Sequence, residues 1–240
     1  MVFRSLSSRR EQASHVLAAK KDGETCATAV FLGSGGHTGE AIQLLSAVDP
    51  MRYTPRTYIF CSGDNMSLTK AKAFEEGLVG GLSGSPPVGK ENPRSVIPYQ
   101  LVELPRARKV AQSYLSSIGT TIYSLWITLW KLAAQPILAG KPSLIPDLLI
   151  VNGPGTCVVV VLVYRLLRLL GQRSPEIIYV ESFARVTSLS LSGKILKNVV
   201  DKFIVQWPMD GSAELQHEDS AVSVESKARN PKLQYYGWLI

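Results

Sequence analysis

The sequence predicts an α/β protein built on one doubly wound parallel sheet. Three observations point there. Short apolar runs alternate with helical patterns, the order that parallel strands with crossover helices require. The first apolar run ends in a glycine-rich turn, "GSGGHTGE" (33–40), from which a helical pattern opens directly. The alternation passes through about six strands and does not restart, so the 240 residues hold one such unit. This is a Rossmann-like arrangement. Ligands of such sheets bind beyond the carboxyl ends of the strands, at the point where the strand order reverses.

The elements follow in order. Residues 27–32, "ATAVFL", are an uninterrupted apolar run and read as a buried strand. In 38–47, "TGEAIQLLSA", the residues Ala41, Ile42 and Leu45 share one helical face. "RTYIFC" (56–61) is a second strand, closed by the turn-rich "SGDN". A helix follows from about Ser67 to Glu76, and the Gly, Pro and Ser content of 79–95 reads as a flexible surface loop. "YQLVEL" (99–104) is the third strand, and 109–134 reads as one long apolar helix. "DLLIVN" (147–152) is the fourth strand and leads into the turn "GPGT". An apolar, basic segment (157–171), the strand "EIIYVES" (176–182), a helix over 190–200 and the strand "KFIVQW" (202–207) complete the alternation. Residues 210–232 read as loop or disorder, and the sequence turns apolar again in "LQYYGWLI". The domain therefore spans 27–240, behind a basic, serine-rich tail over 1–26.

A net charge of +7 and a pI near 9.3 favour an anionic partner: nucleic acid, a phosphorylated substrate or an acidic membrane surface. Cys26, Cys61 and Cys157 are odd in number and widely spaced, which suits free, buried thiols in a reducing compartment and supplies no metal-ligand pair. The first residues contain no continuous apolar run, so they read as neither a secretory signal nor a spanning helix.

The glycine loop is where chemistry concentrates. Gly33, Gly35, Gly36 and Gly39 allow a tight turn and a close ligand approach, and the helix behind them offers unpaired N–H groups. The loop is not a dinucleotide fingerprint. Its sixth position is Thr38 instead of glycine, and the acid expected at the end of the second strand is missing, since Asp64 lies too far on. His37 sits at the helix N-terminus, where the dipole disfavours its charged form and would leave a neutral base near pH 7. On position alone a lone loop histidine is more often a polar surface residue.

Taken together, "GSGGHTGE" (33–40), "SGDNMSLTKA" (62–71), "LPRARKVAQSY" (104–114), "DLLIVNGPGTCV" (147–158), "YVESFARVTSLSLSGKIL" (179–196), "DKFIVQWP" (201–208) and "YYGWLI" (235–240) resemble one family. It is the family of membrane-anchor subunits of the two-protein UDP-N-acetylglucosamine transferase of asparagine-linked glycosylation. The resemblance covers the chain from about residue 27 to its end. It implies the acceptor-side, N-terminal half of a GT-B glycosyltransferase, a heterodimer with a small donor-binding subunit, and no cofactor of its own. It implies transfer of the second N-acetylglucosamine onto dolichol-diphosphate-linked N-acetylglucosamine at the cytosolic face of the endoplasmic reticulum, whose membrane continues into the nuclear envelope. UDP-N-acetylglucosamine would be held mainly by the partner, and nucleic acid has no part in the reading. A scaffolding anchor without catalytic residues and a soluble nucleotide-binding oxidoreductase remain the rival readings.

The resemblance also assigns residues. His37 becomes the candidate base on the acceptor hydroxyl, with the backbone of Gly35 and Gly36 and Thr38 near the acceptor diphosphate. Glu181 could hydrogen-bond a sugar and Arg185 pair with phosphate, against the alternative of an internal pair four residues apart. Asn152 and Thr156 flank "GPG" on the same rim and either contact acceptor or simply form a turn. Ser62 and Asp64 read first as a helix cap. Arg106 and Arg108, with Lys109, precede the long apolar helix and suit acidic headgroups, and Trp126 and Trp130 suit a membrane interface. The segment 157–170 is too short to span a bilayer and reads as core, or as an interfacial helix with Arg165 and Arg168 toward headgroups. Family members usually begin with a spanning helix, which residues 1–26 do not contain, so attachment is peripheral or this N-terminus is incomplete or atypical. Tyr235, Tyr236, Trp238 and Leu239 are candidate anchors for the donor-binding partner, or pack back on the sheet.

Overall fold

A computed structural model describes residues 24–83, 99–107, 114–141, 144–153, 155–208, 213–214 and 233–235. Its centre is an eight-stranded sheet in the order β3-β2-β1-β4-β5-β6-β8-β7. The strands are β1 (Thr28–Leu32), β2 (Arg56–Cys61), β3 (Tyr99–Leu104), β4 (Leu148–Val151), β5 (Glu176–Val180), β6 (Lys202–Val205), β7 (Ala213–Glu214) and β8 (Leu233–Tyr235). Every pairing is parallel. The sheet is thus the doubly wound Rossmann-like sheet that the alternation predicts. The two short strands β7 and β8 are additions to it, within and just beyond the stretch read as loop.

The helices are α1 (Gly36–Ser46), α2 (Asn65–Ser83), α3 (Tyr114–Leu129), α4 (Gln135–Leu138), α5 (Thr156–Leu169) and α6 (Leu191–Leu196). β1 is buried along its whole length because both faces are covered. Ala29 and Phe31 join the core shared with α5, while Val30 and Leu32 join the core under α1 and α2. The alternation of the strand thus divides one apolar run between two layers.

The helices depart most from the sequence reading in three places. α2 continues beyond Glu76 to Ser83, because each added residue gains a backbone hydrogen bond once the helix is nucleated; the remainder of 79–95 lies outside the described residues. The long apolar helix is broken: a π-helical turn at Trp130–Ala134 separates α3 from α4. Pro136, just beyond it, has no N–H for the α-helical ladder, which accounts for the widened turn. α6 is shorter than 190–200, and Ser190 caps it by accepting from Gly193 N–H at 2.9 Å. β2 opens on a buried arginine. Arg56 makes a bidentate pair with Glu75 of α2 at 2.6 and 2.7 Å, and Tyr58 donates to the same carboxylate at 2.5 Å. The charge tolerates burial because each guanidinium nitrogen is hydrogen-bonded, Nη1 donating to the Pro50 and Tyr53 carbonyls.

α5 is largely core, with Cys157, Val160, Val161 and Leu167 buried. Its arginines do not reach for headgroups: Arg165 and Arg168 both pair with Asp201, at 3.0 and 2.7 Å. Cys26, Cys61 and Cys157 are free and buried. Among the described residues, no helix is long and apolar enough to cross a membrane.

Candidate functional site

Because all strands run parallel, the loops after β1, β2, β4 and β5 share one rim. The strand order reverses between β1 and β4, so the switch point lies between the glycine loop and the turn after Val151. The two loops touch. A Cβ on Gly33 would stand 2.8 Å from His37 Cβ and 3.0 Å from the Asn152 carbonyl oxygen. Gly153 returns the contact, with φ near +111° and no room for a side chain against Gly33 Cα. Gly35 and Gly36 face open space, and Gly35 has φ +70°. The N-termini of α1 and α5 both open toward this rim.

His37 is held from two loops. Its Nδ1 lies 2.9 Å from Asn152 Oδ1 and 3.6 Å from Glu40 Oε2. Asn152 donates from Nδ2 to Glu40 Oε2 at 2.6 Å. With the amide turned this way, Asn152 presents only an acceptor to the ring, so neutral His37 carries its proton on Nδ1 and its lone pair on Nε2. Glu40 reaches further. Its Oε1 accepts from Ser182 Oγ at 2.8 Å and from Phe183 N–H at 3.3 Å, in the loop after β5.

These contacts reverse the expectation drawn from the dipole. The carboxylate of Glu40 raises the His37 pKa above its ordinary value; burial opposes the shift, and Asn152 and Glu181 add to it. Burial pushes the Glu40 carboxyl up, but the hydrogen bonds with His37, Asn152 and Ser182 outweigh it and hold the group below the usual carboxylate range. Glu40 is the residue that sequence reasoning missed. The only signal was its position one helical turn after His37, which on a surface helix reads as a solvated charge.

The remaining candidates divide by burial. Asn152 lies inside the His37 network and is fully buried. Thr38 is also buried; it donates to the Gly33 carbonyl and shares a 2.5 Å contact with Ser67 Oγ, tying α1 to α2. Thr156 accepts from Ala107 N–H at 3.1 Å and so fixes the loop after β3. Glu181 is 1% exposed. Its Oε2 accepts from Ser190 N–H and Ser190 Oγ at 3.0 Å each, and its Oε1 from Ser182 N–H at 3.1 Å. No ion pair joins it to Arg185, which is exposed on the same rim. Asp64 takes the cap role, accepting from Ser67 N–H at 3.1 Å and Ser67 Oγ at 2.7 Å. Arg106 donates to the Ser62 carbonyl at 3.2 Å, at the carboxyl end of β3. Tyr235 lies in β8 and packs against the larger core, while Arg108, Tyr236, Trp238 and Leu239 lie outside the described residues.

Trp126 and Trp130 sit on an inverted helix face. Ser124 and Thr128 point inward and are buried, and Ser124 donates to the Pro105 carbonyl at 2.8 Å. Thr120 and Thr121 both donate to the Ala107 carbonyl. Ile118, Ile122, Trp126 and Trp130, spaced four apart, point outward; the two tryptophans are 68% and 52% exposed.

A single doubly wound sheet, with a glycine loop that is not a dinucleotide fingerprint and a histidine held at its switch point, defines a Rossmann-like α/β protein. The family is shown by comparison. The chain belongs to the Alg14-like oligosaccharide biosynthesis proteins, whose family model matches residues 28–221. A relative from Cryptococcus neoformans (strain JEC21), named UDP-N-acetylglucosamine transferase subunit ALG14, is 50% identical over 183 residues, which is 76% of this chain and 74% of the relative. Proteins of the same name from Candida albicans and Homo sapiens are 43% and 37% identical, over 78% and 77% of this chain and 74% and 77% of theirs. No solved structure matches the chain.

Proposed function

We propose that this chain is the acceptor-side subunit of a UDP-N-acetylglucosamine transferase. It adds the second N-acetylglucosamine to dolichol-diphosphate-linked N-acetylglucosamine, at the cytosolic face of the endoplasmic reticulum and its continuation in the nuclear envelope. The relatives carry the name of a transferase subunit. A heterodimer supplies what one Rossmann-like unit lacks: a small donor-binding subunit holds most of the UDP-sugar and closes the cleft. The lipid-linked acceptor rests on the rim of this chain. Gly35 and Gly36 give its diphosphate open backbone, Arg185 adds charge, and Arg106 with the exposed face of Trp126 and Trp130 meets the membrane. Tyr235 holds β8 to the sheet, and Tyr236, Trp238 and Leu239 meet the partner. Thr38, Asn152 and Thr156 set the shape of the acceptor cleft from beneath, and Glu181 shapes the loop that carries Arg185.

The observation that carries the chemistry is the imidazole held by Asn152 at the switch point, with Nε2 left as its basic nitrogen. The acceptor hydroxyl oxygen attacks the anomeric carbon of the donor and its proton passes to His37 Nε2. The bond from that carbon to the UDP oxygen breaks, and UDP leaves with the electron pair. An alcohol is a weak nucleophile, and a placed general base accelerates its attack about 10²–10⁴-fold. His37→Ala in the complex co-expressed with the donor-binding subunit should lower transfer to lipid-linked N-acetylglucosamine by about that factor while assembly is kept. Unchanged turnover in an intact complex would leave this chain as a scaffold only.

A further inference from the structure

Glu40 does more than neighbour His37. Its two carboxylate oxygens serve two different loops at once. Oε2 accepts from Asn152 Nδ2, in the turn after β4, and Oε1 accepts from Ser182 Oγ and Phe183 N–H, after β5. The acceptance at Oε2 keeps the Asn152 amide in the orientation that offers Oδ1 to His37 Nδ1. We propose that Glu40 is a positioning residue for the transfer reaction: by bridging Asn152 and the loop after β5 it fixes the imidazole tautomer and presents Nε2 as the base. This rests on the transferase reading given above.

The physical case is one of acceptor counting. A carboxylate has two acceptors and no donor, whereas glutamine has one acceptor and one donor. In Glu40→Gln, a side chain that accepts from Ser182 and Phe183 turns its NH2 toward the NH2 of Asn152. Asn152 then flips, and its NH2 faces His37 Nδ1, which becomes the acceptor. The proton moves to Nε2 and the base is lost. If the glutamine turns the other way, its NH2 can still donate to Ser182 Oγ but it faces the Phe183 N–H, which loses its acceptor. Neither orientation satisfies both loops.

Glu40 also sets the charge state of the ring. The other charged group that acts on it is Glu181, at the start of the loop after β5. Glu40 is the carboxylate in direct range, 3.6 Å from Nδ1. Its removal lowers the pH at which His37 loses its proton.

The test uses the co-expressed complex with 15N-labelled histidine. In the unsubstituted complex, above the His37 titration, the ring nitrogens should report the proton on Nδ1. A proton on Nε2 overturns the proposal without any variant. In Glu40→Gln the His37 titration and the acid limb of the kcat profile should both move to lower pH, and kcat should fall at least about tenfold. Glu40→Asp keeps the charge and should keep the titration above that of the glutamine variant. If Glu40→Gln leaves both the titration and the tautomer unchanged, Glu40 is not a positioning residue. Failure of the transferase reading is separable: the ring signals would respond as stated, while His37→Ala would retain full turnover.

Discussion

His37 and Glu40 shift each other in opposite directions, and their contribution to stability therefore depends on pH. His37 has its folded pKa raised, so its share is complete below the unfolded value near 6.5 and is lost as pH rises through the folded value. Glu40 has its folded pKa lowered, so its share is present above the unfolded value near 4.5 and is lost as pH falls through the folded value. Both groups are charged together between these limits. The stability gap between the unsubstituted chain and Glu40→Gln should be widest from about pH 4.5 to 6.5 and narrow on the alkaline side, as urea unfolding across pH would measure. A gap that is flat with pH would mean that only the hydrogen bonds of Glu40 matter. Of this pair only His37 was legible in the sequence, from its place in a glycine turn. Glu40 became visible only when the loops after β4 and β5 converged on it, and dipole reasoning alone gave the wrong sign for the imidazole.

Among the elements, α6 depends on a buried carboxylate. Glu181 accepts from both the N–H and the hydroxyl of Ser190, the residue that caps this six-residue helix. Gly193 packs so closely on Glu181 that an added Cβ would collide with Oε2 and lie 3.2 Å from the Phe203 ring. Gly193→Ala should therefore destabilise the fold by about 1–3 kcal/mol, by thermal or urea unfolding, since the displaced carboxylate leaves donors unmet in a closed core. An unchanged midpoint would show that Glu181 has slack. The strands were legible at this scale because fully covered parallel strands are written as unbroken apolar runs such as "TAVFL". The break before Pro136 was not read from the proline that accompanies it. The strands β7 and β8 carry no long apolar run, since their pairing comes from their place at the sheet edge.

For the whole molecule, the outward face of α3 inverts the usual pattern. Hydropathy would bury Ile118, Ile122, Trp126 and Trp130, yet the small hydroxyls Ser124 and Thr128 lie inside, Ser124 donating to the Pro105 carbonyl in the loop after β3. The apolar stripe is thereby turned outward next to that loop, where Arg106 is held, and Leu138 on α4 and Leu162, Leu166 and Leu169 on α5 are exposed as well. Tryptophans with an arginine beside them match the boundary between headgroups and acyl chains, where rings enter and cations meet phosphate. Trp126→Ser with Trp130→Ser should reduce co-sedimentation of the full chain with phosphatidylcholine–phosphatidylserine vesicles at least about tenfold. The thermal midpoint should not change, because both rings are exposed in the fold. Added salt should weaken binding of both proteins through the arginines, leaving the tryptophan difference in place. Equal sedimentation of the two proteins would remove this face from the membrane and leave it for a protein partner.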